Sequence, residues 1–229
     1  DVYKRQLIGG ILVWLGWYGF NVGSAFTFDH IAMISFVNTV IGASAGAFGW
    51  LIFEYILKKT TSLLGLLSGA LSGLVAITPA AGYVSYMSAM IIAIIGGICC
   101  YIVINLIKVK LQYNDALDAF GIHGVGGILG AVLTGVFQSH QINSAVQNGF
   151  IYTADFKVVV IQLGAAIATV VFSAIVTFLI ARFIKIFTPL ATTQEEDKTG
   201  LDAIVHGEKA YFYGELNLSL IHISEPTRP

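Results

Sequence analysis

A histidine stands inside a stretch that is otherwise free of ionisable side chains. From Ala119 to Phe137 the chain holds His123 among six glycines and no formal charge, with Asp118 just ahead of it. The run has about the length a helix needs to cross a bilayer. An imidazole in hydrocarbon is costly and normally faces a bundle interior or a wet cavity, so its presence marks a candidate functional site. On a helical period His123, Gly127, Gly130 and Thr134 share one face, and Gly126 with Gly130 forms a GxxxG pair that admits a second backbone. The spacing therefore predicts that His123 points into protein. A neutral ring there has one donor and one acceptor nitrogen, which suits passing on a small hydrogen-bonding species. A structural histidine bonded to a neighbouring helix is the alternative.

Two further sets carry chemistry. Trp17, Phe20 and Ser24 fall on one stretch, Trp14-Leu-Gly-Trp17-Tyr-Gly-Phe20-Asn21-Val-Gly-Ser24, and aromatic faces attract cations more strongly once water is removed. Against that reading, Trp and Tyr also form interfacial belts on ordinary spans, and Ser bonds back to its own helix. In the second set, Thr78-Pro79 ends an apolar run. Proline has no N–H to donate, so a carbonyl near Val75 or Ala76 loses its partner. Irregular backbone at membrane depth survives only where protein or water satisfies it, which points to a cavity; a simple helix end is the other reading. Asp115 or Asp118 is expected to cap the His123 helix. Cys99 and Cys100 read as small hydrophobes, and no spacing of Cys, His or acidic residues suggests a metal or cofactor site.

These residues need membrane helices to hold them. Hydrophobic residues make up 56% of the chain, charged residues 11%, and mean hydropathy is +0.81, where a soluble domain is about 25% charged. The expected fold is an all-α membrane protein with six spans, about 7–28, 31–57, 63–81, 86–107, 118–137 and 157–186. Lys58, Lys59, Lys108, Lys110, Arg182 and Lys185 follow the second, fourth and sixth spans, and Lys157 alone lies on the other side. The positive-inside rule then places the C-terminal tail, 188–217, in the cytoplasm. Glycines in series, Gly42, Ala45, Gly49 and Gly65, Gly69, Gly73, mark close helix packing. A net charge of −1 argues against nucleic acid as a partner. The ends, 1–6 and 218–229, resemble translated sequencing-adapter read-through and are set aside from the fold; if that resemblance holds, the frame is expected to be a fragment cut on its N-terminal side.

Taken together, Phe120-Gly-Ile-His123-Gly-Val-Gly-Gly, Gly16-Trp-Tyr-Gly-Phe20-Asn-Val-Gly-Ser24-Ala and Gly73-Leu-Val-Ala-Ile-Thr78-Pro79-Ala-Ala-Gly resemble segments of the ammonium transporter family, in the same order. The tail Gly200-Leu-Asp202-Ala-Ile-Val-His206-Gly-Glu208-Lys-Ala-Tyr211 is similar to the cytoplasmic signature of that family. The run after the histidine looks more like the Amt branch of the Amt/Mep/Rh superfamily than the Rhesus branch.

The resemblance implies the later spans of an eleven-span, homotrimeric protein of the cell membrane built from two inverted halves, whose substrate path lies at their interface. By the same resemblance His123 is the second of two pore histidines, Phe20 the inner ring of a phenylalanine gate, Trp17 and Leu71 apolar pore lining, Ser24 a hydroxyl at the outer recruitment site and Thr78 its neighbour. The first histidine and the outer gate belong to the absent half. Ammonium, or methylammonium as its analogue, would give up its proton before a dry pore and cross as ammonia, which potassium cannot imitate. Other classes remain: an ammonium sensor that signals through its tail to a cytosolic PII-type regulator, a non-functional fragment, or a membrane-embedded hydrolase. The last would need a nucleophile with a base or a metal cluster, and no such set lies among the intramembrane residues.

Overall fold

The structure, a computed structural model, describes residues 2–207. It divides into two compact units, Asp1–Val171 and Phe172–Pro229. Among the described residues the secondary structure is helical. The first unit contains α1 (Val2–Gly23), α2 (His30–Lys58), α3 (Leu63–Ile77), α4 (Tyr86–Ile102), α5 (Lys108–Leu111), α6 (Gly126–Phe137) and α7 (Phe150–Thr153). It also holds the start of α8 (Lys157–Ile184); the remainder of α8 and the short α9 (Gln194–Thr199) belong to the second unit.

Local chemistry sets the helix ends. Asp29, Ser62 and Ser85 each stand in extended backbone just before a helix and accept from an N–H of its first turn, at Ala32, Gly65 and Ser88, satisfying donors that have no partner inside the helix. Lys59 closes α2 in the left-handed region, its N–H donating to Tyr55 O. The buried Glu54 carboxylate accepts from the Ser62 amide at 3.2 Å and lies 3.6 Å from Lys58 Nζ, tying the end of α2 to the start of α3. In α9, Thr193 and Glu196 form a reciprocal capping box.

The centre of the first unit is a glycine contact among three helices. A methyl at Gly46 of α2 would stand 2.6 Å from Gly69 O and would strike Gly73, both on α3, while a methyl at Gly97 of α4 would strike Gly46 O. Removing side chains at these crossings brings the backbones together, and dispersion then holds the helices where lipid supplies no hydrophobic drive. Gly46 is absent from the sequence-based series yet sits at the crossing. Around it lie Ala43, Ala47, Ala70 and Leu74, and a second cluster joins Trp50, Val75, Cys100, Tyr101, Ile104 and Ile122; Cys100 is fully buried, as a small hydrophobe should be.

Among the described residues five helical stretches are long and apolar enough to cross a membrane: His30–Lys58, Leu63–Ala80, Tyr86–Leu111, Phe120–Phe137 and Lys157–Ile184. In sequence position they overlap the ranges 31–57, 63–81, 86–107, 118–137 and 157–186 read from the apolar runs. The remaining range, 7–28, differs. α1 begins at Val2, because nothing in Tyr3 to Gln6 breaks a helix, and stops at Gly23 rather than Phe28. Beyond it the chain turns, with the Phe26 amide donating to Gly23 O and Phe26 in the left-handed region at φ 55°. Glycine, Trp17, Tyr18 and Asn21 dilute the apolar character of α1, which leaves it outside the set of five. No residue of α8 is buried.

Two stretches of the first unit are wound wider than an α-helix. Val103–Ile107, between α4 and α5, and Phe120–Val125, leading into α6, are both π-helical. Periodicity alone did not reveal them.

Candidate functional site

His123 sits within the second π segment. A π turn accommodates an extra residue, so residues on either side of it leave the common face that a uniform helical period assigns them. The spacing put His123 on the face of Gly130 and Thr134; those two are buried, whereas His123 stands across the π turn from them and is exposed. Gly126 and Gly130 do admit a second backbone. A methyl on Gly130 would strike Ala76 O, and one on Gly126 would press on Val75 and Cys100. The GxxxG pair therefore seats α6 on α3 while the π turn aims His123 elsewhere.

It is aimed at Trp17. The two rings lie 6.0 Å apart between centroids with planes 22° apart, a stacked pair. Trp17 is fixed from its other end, where its indole N–H donates to Thr78 Oγ1 at 2.8 Å. The Thr78 hydroxyl donates in turn to Leu74 O at 2.7 Å. Pro79 explains why Thr78 is available here: the helix tightens into the turn Thr78–Ala80, and the Thr78 amide is shared between Leu74 O and Val75 O. The carbonyl left without a proline donor is thus satisfied locally, and both anticipated readings of Thr78-Pro79, a helix end and a cavity wall, hold at once.

The cavity has a volume of about 450 Å³ and is lined mainly by apolar groups, including Trp17, Phe20, Val75, Pro79, His123 and Gly127. A second cavity of about 290 Å³ lies beyond Phe20 and Thr78, which line both. Its walls are polar: Asn21, Ser24, Asp29, Ser35 and Asn143 contribute. Phe20 stands 6.0 Å from Trp17 between ring centroids, at 56°.

The anticipated residues fall into three groups. Trp17, Phe20, Thr78 and His123 come together around one cavity. Ser24 lines the neighbouring polar cavity, but its hydroxyl donates to Phe20 O at 2.6 Å, so it binds back to its own helix and keeps only acceptor capacity. Leu71 packs against the core clusters, as Trp17 does, and is not among the residues that line the cavity. The sequence reading missed Asn21 and Asn143. Asn21 is buried and donates to Thr39 Oγ1 at 3.1 Å, and Asn143 donates to Gly82 O at 3.3 Å; neither has a local signature, since each matters through a partner distant in sequence.

Asp115 does cap the helix that carries His123. Its carboxylate accepts from the amides of Ala119, Phe120 and Gly121 at 2.9, 3.0 and 3.3 Å. His30 and His140 are exposed, as expected. In the tail, Asp202–His206 is a π turn between Gly200 and Gly207, both at positive φ; Glu208 to Tyr211 lie outside the described residues.

Comparison with known proteins follows the same line. A sequence model described as the Ammonium Transporter Family matches residues 4–211. The chain is 50% identical over 204 residues to an ammonium transporter of Bacillus subtilis, covering 89% of this chain and 50% of that one. To an ammonium transporter of Aquifex aeolicus it is 42% identical, covering 89% and 47%. The chain thus spans about half the length of these relatives. Among solved structures, Saccharomyces cerevisiae Mep2 superposes with a TM-score of 0.74 at 33% identity, covering 79% of this chain and 42% of that one. A structure titled Sensor Amt Protein gives 0.74 at 28% identity, covering 86% and 48%.

Proposed function

The chain belongs to the Ammonium Transporter Family, and from that premise we propose that it forms one wall of a pathway moving ammonium or ammonia across a cell membrane. As a multi-pass membrane protein, it has the apolar helices such a wall requires. The observation that carries the reading is the pair of adjoining cavities, polar on one side of Phe20 and Thr78 and apolar with His123 on the other. A cation is tolerated among oxygens and beside aromatic faces and is penalised in the dry space beyond. Asp29 and the hydroxyl acceptors hold ammonium on the polar side; past Phe20 the neutral molecule travels, and His123 offers it a hydrogen-bonding nitrogen.

In this reading α1 is a sixth span, the basic residues of Lys58, Lys108 and Arg182 face the cytoplasm with the tail, and the complete protein is an eleven-span homotrimer whose other half brings the second histidine. The tail is then the place for a PII-type regulator. The test joins this chain to the portion of the Bacillus subtilis relative that it does not cover and measures methylammonium uptake in vesicles. Uptake that excludes potassium is expected from the joined protein and not from residues 7–214 alone. Robust uptake by this chain alone, or potassium entry equal to methylammonium entry in the joined protein, overturns it. The sensor reading is the alternative, and the solved Sensor Amt Protein superposes as well as Mep2 and no better; ammonium binding and regulator recruitment with no measurable uptake would favour it.

A further inference from the structure

His123 lies in a π turn, a rare geometry that appears mostly as single turns inside helices and often at functional sites. Two contacts bear on it. In the middle, a methyl added to Gly121 would strike Ile104, so the two π segments, Val103–Ile107 and Phe120–Val125, meet side by side. At their shared end stands Lys108, the first residue after the one segment. Its ammonium donates to Asp118 Oδ1 at 2.6 Å and to the Asp115 carbonyl oxygen. Asp118 itself has φ 55°, a left-handed conformation that Asp and Asn tolerate better than most residues. Asp115, on the same turn, caps the amides that open the second π segment.

We propose that Lys108 is a positioning residue for His123: by clamping Asp118 and the Asp115 backbone, it fixes the start of the π turn and so the stacking of His123 on Trp17. The pair is partly shielded, with side-chain exposures of 25% for Lys108 and 35% for Asp118, so its role is geometric more than energetic. Lys108 touches neither the cavity nor the substrate proposed for it. It acts through one turn of backbone. The functional weight of the inference rests on the reading of His123 as a pathway residue, but its test is independent of transport.

The experiment is solid-state NMR of the full chain in lipid bilayers with labelled His, Trp and Tyr. The His123 to Trp17 ring contact gives a cross-peak, assigned by its loss in His123→Ala; the Trp50 to Tyr101 contact, 5.2 Å between centroids, reports the intact core in the same spectrum. Lys108→Met and Asp118→Asn are expected to weaken the His123 to Trp17 peak at least threefold and leave the Trp50 to Tyr101 peak unchanged, while Lys108→Arg preserves both. A His123 to Trp17 peak of parental strength in Lys108→Met and Asp118→Asn overturns the proposal. So does joint loss of both peaks in either variant, which would assign the clamp to the fold as a whole. A failure of uptake leaves this result untouched, and the reverse also holds.

Discussion

Trp17 and Thr78, 61 positions apart, are joined by a single hydrogen bond: the indole N–H donates to the threonine hydroxyl at 2.8 Å. This bond sets one edge of the cavity, because Trp17 then offers its face to His123. Thr78 opens the tight turn Thr78–Ala80 that follows α3, with Pro79 at its start, and its hydroxyl accepts from Trp17 while donating to Leu74 O. The bond and the stack together convert three separate sequence motifs into one site.

Replacing Thr78 by Val removes the acceptor and leaves the Trp17 N–H without a partner. Polar contacts between membrane helices contribute on the order of 1 kcal/mol. Thr78→Val is expected to lower stability by about that amount and to loosen Trp17, read as higher tryptophan fluorescence anisotropy decay in bilayers, whereas Thr78→Ser retains the parental values. Equal behaviour of Val and Ser would show that the bond does not hold the indole.

Glycines divide into those that bear helix crossings and those that face open space. Gly73→Ala and Gly130→Ala press on Gly42 O and Ala76 O, both backbone atoms that cannot swing aside, and overpacking of this kind costs about 1–3 kcal/mol. Gly16→Ala and Gly127→Ala meet nothing within 4 Å in this chain and should leave its thermal denaturation in detergent unchanged. If all four variants melt alike, the crossings are not where the structure puts them.

The apolar helices from α2 onward were legible because each apolar run is bounded by charge, proline or a capping residue, and a carboxylate cap ahead of the His123 run was legible, though not which of Asp115 and Asp118 provides it. What escaped was set by contacts across the fold. The π turn at Phe120–Val125 packs against Ile104 and follows the Asp118 that Lys108 pairs with, both partners from the preceding helical stretch, and a uniform period assumed across it put His123 on the buried face of Gly130. Leu71 has the apolar character of a pore residue, but it packs against the core cluster of Ala43, Ala47, Ala70 and Leu74. Asn21 likewise takes its meaning from Thr39, on the next helix.

Asp29 gives a pH dependence. The Ala32 amide, then the Thr27 hydroxyl, hold its carboxyl below the ordinary value of 3.8. A group whose folded value is depressed adds stability above its unfolded value and loses it as pH falls through the folded one. The start of α2 should therefore stay ordered at pH 5 to 7 and fray below about pH 4. Hydrogen exchange at the Ala32 amide reads this; Asp29→Asn, still able to cap but without titrating, should show little change across the same range. An Ala32 amide that exchanges at one rate from pH 7 to pH 3, after correction for intrinsic exchange, contradicts the assignment.

The most direct measurement places His123→Ala in the protein completed with the missing portion of the Bacillus subtilis relative and follows methylammonium uptake with potassium present in excess. The account predicts that uptake falls at least tenfold or loses its discrimination against potassium, because the dry side of the pathway no longer has a hydrogen-bonding nitrogen. Full uptake by the alanine variant, with potassium still excluded, would contradict it.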